Sequence, residues 1–71
     1  MARWPATKAA KVLAALKRIG WTLKRQGGGS HRVFERAGWA DLVWSHHDGA
    51  ELGPKMLARI AKVTGLEPSD L

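Results

Sequence analysis

Near the middle of the chain, Gly27-Gly28-Gly29-Ser30-His31-Arg32 gathers residue types suited to phosphate chemistry. An imidazole, with an ordinary pKa of about 6.5, is the side chain best placed to move protons near neutral pH. It can take the proton of a ribose 2′-hydroxyl or give one to a leaving oxygen. The amides of Gly27, Gly28 and Gly29 can approach a phosphate closely, because no side chain stands before them. Ser30 can donate to a phosphate oxygen, while Lys24, Arg25 and Arg32 neutralise its charge. His31 is therefore the candidate acid or base, and Gly29 and Ser30 the pair that places the phosphate. Such a reaction needs neither a metal nor a cofactor. The plainer reading is a loose hairpin turn with His31 an exposed strand residue. Spacing alone favours that one, since so short a motif recurs by chance.

Other constellations carry less. Ser30 is a poor covalent nucleophile, because its strand neighbour His31 points to the opposite face and cannot serve as its base. His46 and His47, with Asp48 and Glu51, invite a metal reading. Adjacent strand histidines diverge, however, and no second cluster completes a site. One of them can still assist His31 if their strands are neighbours. The four tryptophans can stack on bases, but with one Phe and no Tyr beside them they are needed for the core. Trp21 and Trp44 are the expected core residues, and Trp4 and Trp39 the expected exposed ones.

The elements that must hold His31 follow from periodicity. Ala9, Val12, Leu13, Leu16 and Ile19 recur at three and four, which predicts a helix over Thr7 to Ile19 closed by Gly20. Trp21 to Gln26 alternates as a strand, with Trp21, Leu23 and Arg25 on one side. His31 to Arg36 and Trp39 to His46 read as two more strands, joined by short turns into a meander. Val33 and Phe34 must face opposite sides, and the pattern does not say which is inside. His47 to Gly53 reads as a loop. A helix starts at Pro54, buries Leu57, Ile60, Ala61 and Thr64, and stops at Gly65. Lys55, Arg59 and Lys62 form a basic stripe on its outer face. Leu66 to Leu71 reads as a frayed tail. The expected class is α+β: an α-β-β-β-α order, with both amphipathic helices on one face of a three-stranded antiparallel sheet. The double-stranded-RNA-binding domain has this order of elements, and such domains recognise RNA mainly by shape.

Length and charge bound the possibilities further. The 71 residues are expected to form a single domain over 1–71, with its core over about 7–66. No cysteine is present to reinforce so small a core. A net charge of +6 and a pI near 10.6 point to a polyanionic partner, nucleic acid ahead of membrane or acidic protein. No stretch approaches the roughly 18 apolar residues of a membrane span, and the first residues lack a secretory apolar region. A cytoplasmic protein without a membrane partner is expected.

The helix ending in Gly20-Trp21, then Arg25-Gln26, then Gly29-Ser30-His31 with Phe34, resembles the HicA-type toxins of bacterial toxin–antitoxin pairs. Leu52-Gly53-Pro54-Lys55 through Leu57, Ile60 and Gly65-Leu66 is similar to that family's closing helix, so the resemblance runs from about Thr7 to Leu66. It implies a toxin that is a metal-independent endoribonuclease, an mRNA interferase with a double-stranded-RNA-binding-like fold. His31 takes the place of the family's catalytic histidine, and the implied partners are mRNA and a HicB-type antitoxin that covers it. Lys24, Arg25 and Arg32 would bind the RNA backbone, with Lys55 and Arg59 as outer contacts. Two positions depart from the pattern. Arg32 stands where many members carry a second histidine, and Gly27-Gly28 lengthens the turn. The alternative from another class is a non-catalytic RNA-binding module, and a third is a protein-interaction domain whose basic surface meets an acidic protein.

Overall fold

The computed structural model describes residues 3–29 and 31–71; Met1, Ala2 and Ser30 lie outside the described residues. The element order is β1 (Thr7–Lys8), α1 (Ala9–Arg18), β2 (Thr22–Gln26), β3 (Arg32–Glu35), β4 (Leu42–Trp44), β5 (Glu51–Leu52) and α2 (Pro54–Thr64), then a 3-10 turn over Pro68–Asp70. β2, β3 and β4 form an antiparallel sheet in that order. The expected α+β class, with two helices and a three-stranded antiparallel sheet, is what the chain adopts.

Both helices follow from their apolar stripes. In α1, Ala9, Val12, Leu13, Ala15 and Leu16 are buried, and Lys17 and Arg18 in the last turn complement the helix dipole. In α2, Leu57, Ile60 and Thr64 are buried. Pro54 opens α2 without losing a needed amide, and Gly65 closes it in a left-handed conformation (φ +77°) that donates its N–H to the Ala61 carbonyl.

On the sheet, Phe34 pairs with Leu42 and Arg32 with Trp44, so these residues share the face turned to the helices. Phe34 and Trp44 are buried, whereas Val43, on the opposite face, is 66% exposed. The open question of Val33 or Phe34 is thus settled for Phe34. Trp21 and Trp44 fill the core, Trp39 is exposed, and Trp4 is partly buried against the core.

The last turn of α2 is tied to the sheet by one carbonyl. The Thr64 oxygen accepts from Trp21 Nε1 at 3.1 Å and from Arg36 Nη1 at 3.3 Å. The Arg36 guanidinium lies 5.2 Å from the Trp39 ring centroid, and Trp39 meets Trp21 edge-on.

Four expectations are corrected. Thr7 and Lys8 are not the first helical turn: they pair antiparallel with Glu51 and Leu52, inside what reads as a loop, to form a second sheet. β2 carries a bulge between Leu23 and Arg25, so Leu23 pairs with Phe34 and Arg25 with Val33. The two side chains therefore occupy opposite faces rather than one. The three central strands are shorter than expected: Thr22–Gln26, Arg32–Glu35 and Leu42–Trp44 rather than 21–26, 31–36 and 39–46. The tail is not frayed: Leu66 is buried, Glu67 and Asp70 cap each other, and Arg18 Nη2 donates to the Asp70 carbonyl at 2.6 Å.

Candidate functional site

The β2–β3 hairpin presents His31. Gln26 pairs with Arg32, and next to that pair the Gly27 N–H donates to the His31 carbonyl at 2.9 Å. The histidine backbone is thus held at the neck of the hairpin while its side chain remains exposed. Its Nδ1 lies 3.3 Å from the Gly28 carbonyl oxygen. A carbonyl only accepts, so this contact is a hydrogen bond when Nδ1 carries the proton. In that tautomer the neutral ring keeps its lone pair on Nε2.

Beside the hairpin, Gln26, Gly29, Arg32, His46, His47 and Asp48 enclose a polar pocket of about 260 Å³. The register explains how. Arg32 pairs with Trp44, so the residues that follow β4 continue past the start of β3 and wall the pocket opposite the glycine turn. Arg32 is held there by Asp48, Nη2 to Oδ1 at 3.5 Å, with 22% of its side chain exposed. His46 is steadied by an edge-on contact with buried Trp44, ring centroids 4.9 Å apart. The lining combines the Arg32 guanidinium, two imidazoles and a glycine backbone with the Asp48 carboxylate that partners Arg32, so an anion entering it would compete with Asp48 for the guanidinium.

The expected site residues divide accordingly. Gly29 and Arg32 line the pocket; His31, directly before Arg32 in the chain, is held at the hairpin neck and is not one of its lining residues. Ser30 lies outside the described residues. Lys24, at the bulge, is engaged with Asp41, Nζ to Oδ2 at 2.8 Å. Arg25 is exposed, in register with Val33 on the open sheet face. Lys55 and Arg59 are exposed on α2, and Lys55 borders a different groove. Gln26 joins the site without a sequence signal of its own. His46, His47 and Asp48 had drawn notice as metal-type residues, and they are instead the far wall of the same pocket. Among the described residues no three His, Asp or Glu side chains come together as a metal would need. No helix among them is long and apolar enough to cross a membrane.

A family model described as the HicA toxin of bacterial toxin–antitoxin matches residues 9–66. No curated protein and no solved structure matches the chain.

Proposed function

Because the chain belongs to the HicA toxin family, the toxin half of a toxin–antitoxin pair, we propose that it acts as an endoribonuclease on mRNA with His31 as its proton-transfer group. The observation that carries the reading is the placement of His31. Its backbone is clamped at the hairpin neck, its Nδ1 is turned to the Gly28 carbonyl, and the next residue along the chain, Arg32, lines the polar pocket. A general base needs an unprotonated nitrogen within reach of the proton it removes, and in the tautomer protonated at Nδ1 that nitrogen is Nε2.

The simplest step uses the RNA's own 2′-hydroxyl. Nε2 of His31 takes its proton as the oxygen bonds to the adjacent phosphorus. The bond from phosphorus to the 5′-oxygen then breaks, that oxygen takes a proton from the His31 imidazolium through water, and a 2′,3′-cyclic phosphate remains with the imidazole neutral again. The balance closes without a metal or a cofactor. Arg32 and the Gly29 backbone hold the phosphate, and Ser30 adds a hydroxyl to the same task. Arg25 and Lys24 attract the flanking backbone, with Lys55 and Arg59 as outer contacts. The partner is a HicB-type antitoxin that inhibits by covering His31, and RNA cleavage would take place in the cytoplasm.

The test compares wild type with His31→Ala after induced expression, and the purified proteins on RNA and on DNA of the same sequence with a chelator present. Growth arrest and RNA cleavage by the wild type are expected, with cleavage reduced roughly 10²–10⁴-fold in the variant. Cleavage of DNA at the same rate would sink the 2′-hydroxyl step. Equal RNA binding by both proteins, with cleavage by neither, would make the chain a non-catalytic RNA-binding module.

A further inference from the structure

The small sheet formed by β1 and β5 separates two concavities. At its Lys8–Glu51 end, Lys8 Nζ donates to the Gly49 carbonyl at 3.1 Å and the Ala10 N–H to the Asp48 carbonyl at 3.1 Å. This end adjoins the Asp48 wall of the polar pocket. At its Thr7–Leu52 end the chain runs back to Trp4 and forward to Pro54. There Arg3, Trp4, Pro54, Lys55 and Ala58 enclose a groove of about 440 Å³. Among the described residues the two concavities share no lining residue. The six-residue step from Asp48 to Pro54 spans at most roughly 20 Å, within reach of one extended strand of a few nucleotides.

The chemistry of the groove narrows its occupant. Trp4 packs partly against the core and leaves the rest of its indole beside Pro54 and Ala58. Arg3 and Lys55 supply cations at the rim, and among the described residues no acidic one lines the groove. Further along α2, Arg59 and Lys62 extend the positive edge. An apolar slot with an aromatic wall and a cationic rim fits a flat ring carrying an anion. A nucleobase with its phosphate is such a ligand, and base stacking on an indole does not depend on the base.

We propose that the Trp4 groove is a nucleobase subsite, which holds a distal nucleotide of the RNA strand whose reacting phosphate lies beside His31. The proposal rests on the ribonuclease reading for the identity of that strand. It adds a second grip at a distance from the chemistry, so affinity depends on RNA length.

The test uses labelled 2′-O-methyl oligouridylates of about two and about eight nucleotides, which have no free 2′-hydroxyl to react. Affinities are measured by fluorescence anisotropy for wild type, Trp4→Ala and Trp4→Phe, each verified as folded by thermal melting. Wild type should bind the longer probe far more tightly than the shorter one. Trp4→Ala should lose roughly 5- to 100-fold on the longer probe and with it most of the length advantage. Trp4→Phe, which keeps a ring, should retain much of it. Equal losses on both probes would overturn the subsite by making Trp4 a structural residue. So would unchanged RNA binding with weakened antitoxin binding, which would make the groove a protein-docking surface. Because the probes are not cleaved, a wild type without nuclease activity would refute the catalytic reading and still leave this result legible.

Discussion

Of the three consecutive glycines in the β2–β3 turn, only Gly29 has a positive φ, at +64°. A Cβ added at Gly28 or Gly29 meets nothing within 4 Å, so backbone conformation decides between the two. Gly29→Ala should cost roughly 1–2 kcal/mol for the left-handed conformation, and Gly28→Ala less than about 0.5 kcal/mol. Thermal melting separates the two variants, since each kcal/mol moves the midpoint of so small a domain by about 4–8 °C. A larger loss from Gly28→Ala would contradict this ordering. The glycines were legible as a turn because their type announces freedom. Which of them uses it depends on the turn, and a repeated residue hides that. For His31 the sequence offered a residue type suited to proton transfer but not the Gly28 carbonyl 3.3 Å from its Nδ1.

At the scale of elements, what was legible had a long period and what was missed was short. Both helices announced themselves through stripes such as Val12-Leu13-Leu16 and Leu57-Ile60-Thr64, because burial of one face imposes the spacing. β1 and β5 are two residues each, too short to show any alternation, and their partners lie far apart in the chain. The bulge in β2 was hidden for a related reason: pairing with β3 sets it, and the alternation of β2 alone runs straight through it. The far wall of the pocket depends on the Arg32–Trp44 register, which no local pattern encodes. The joint between α2 and the sheet offers a sharp check. A Cβ at Gly65 would stand 2.9 Å from Trp39 Cη2, at a residue already left-handed. Gly65→Ala should therefore cost more than Gly29→Ala, roughly 2–3 kcal/mol, because strain and displacement of Trp39 add. Urea unfolding of both variants tests the order, and equal midpoints would show that Trp39 yields freely.

For the whole molecule, stability on the order of 4–11 kcal/mol is expected at this length, so no part has much to spare. The core extends from Ala9 to Leu66, while β1 and β5 close the molecule with two residue pairs. The Ala9 and Ala10 amides, bound to the Ala50 and Asp48 carbonyls, should exchange hydrogen sooner than the Leu13 and Leu16 amides inside α1. Equal protection at all four would mean that the small sheet opens only with the rest. Lys8 reaches a carbonyl 41 positions further along the chain, and closing so long a loop has an entropic cost that local contacts do not. A chain still emerging from the ribosome has no partner for Thr7 and Lys8 until Glu51 and Leu52 are made. The Trp4 groove likewise has no second wall until Pro54, Lys55 and Ala58 follow, so the two ends of the chain complete that surface only when nearly all of it has been made.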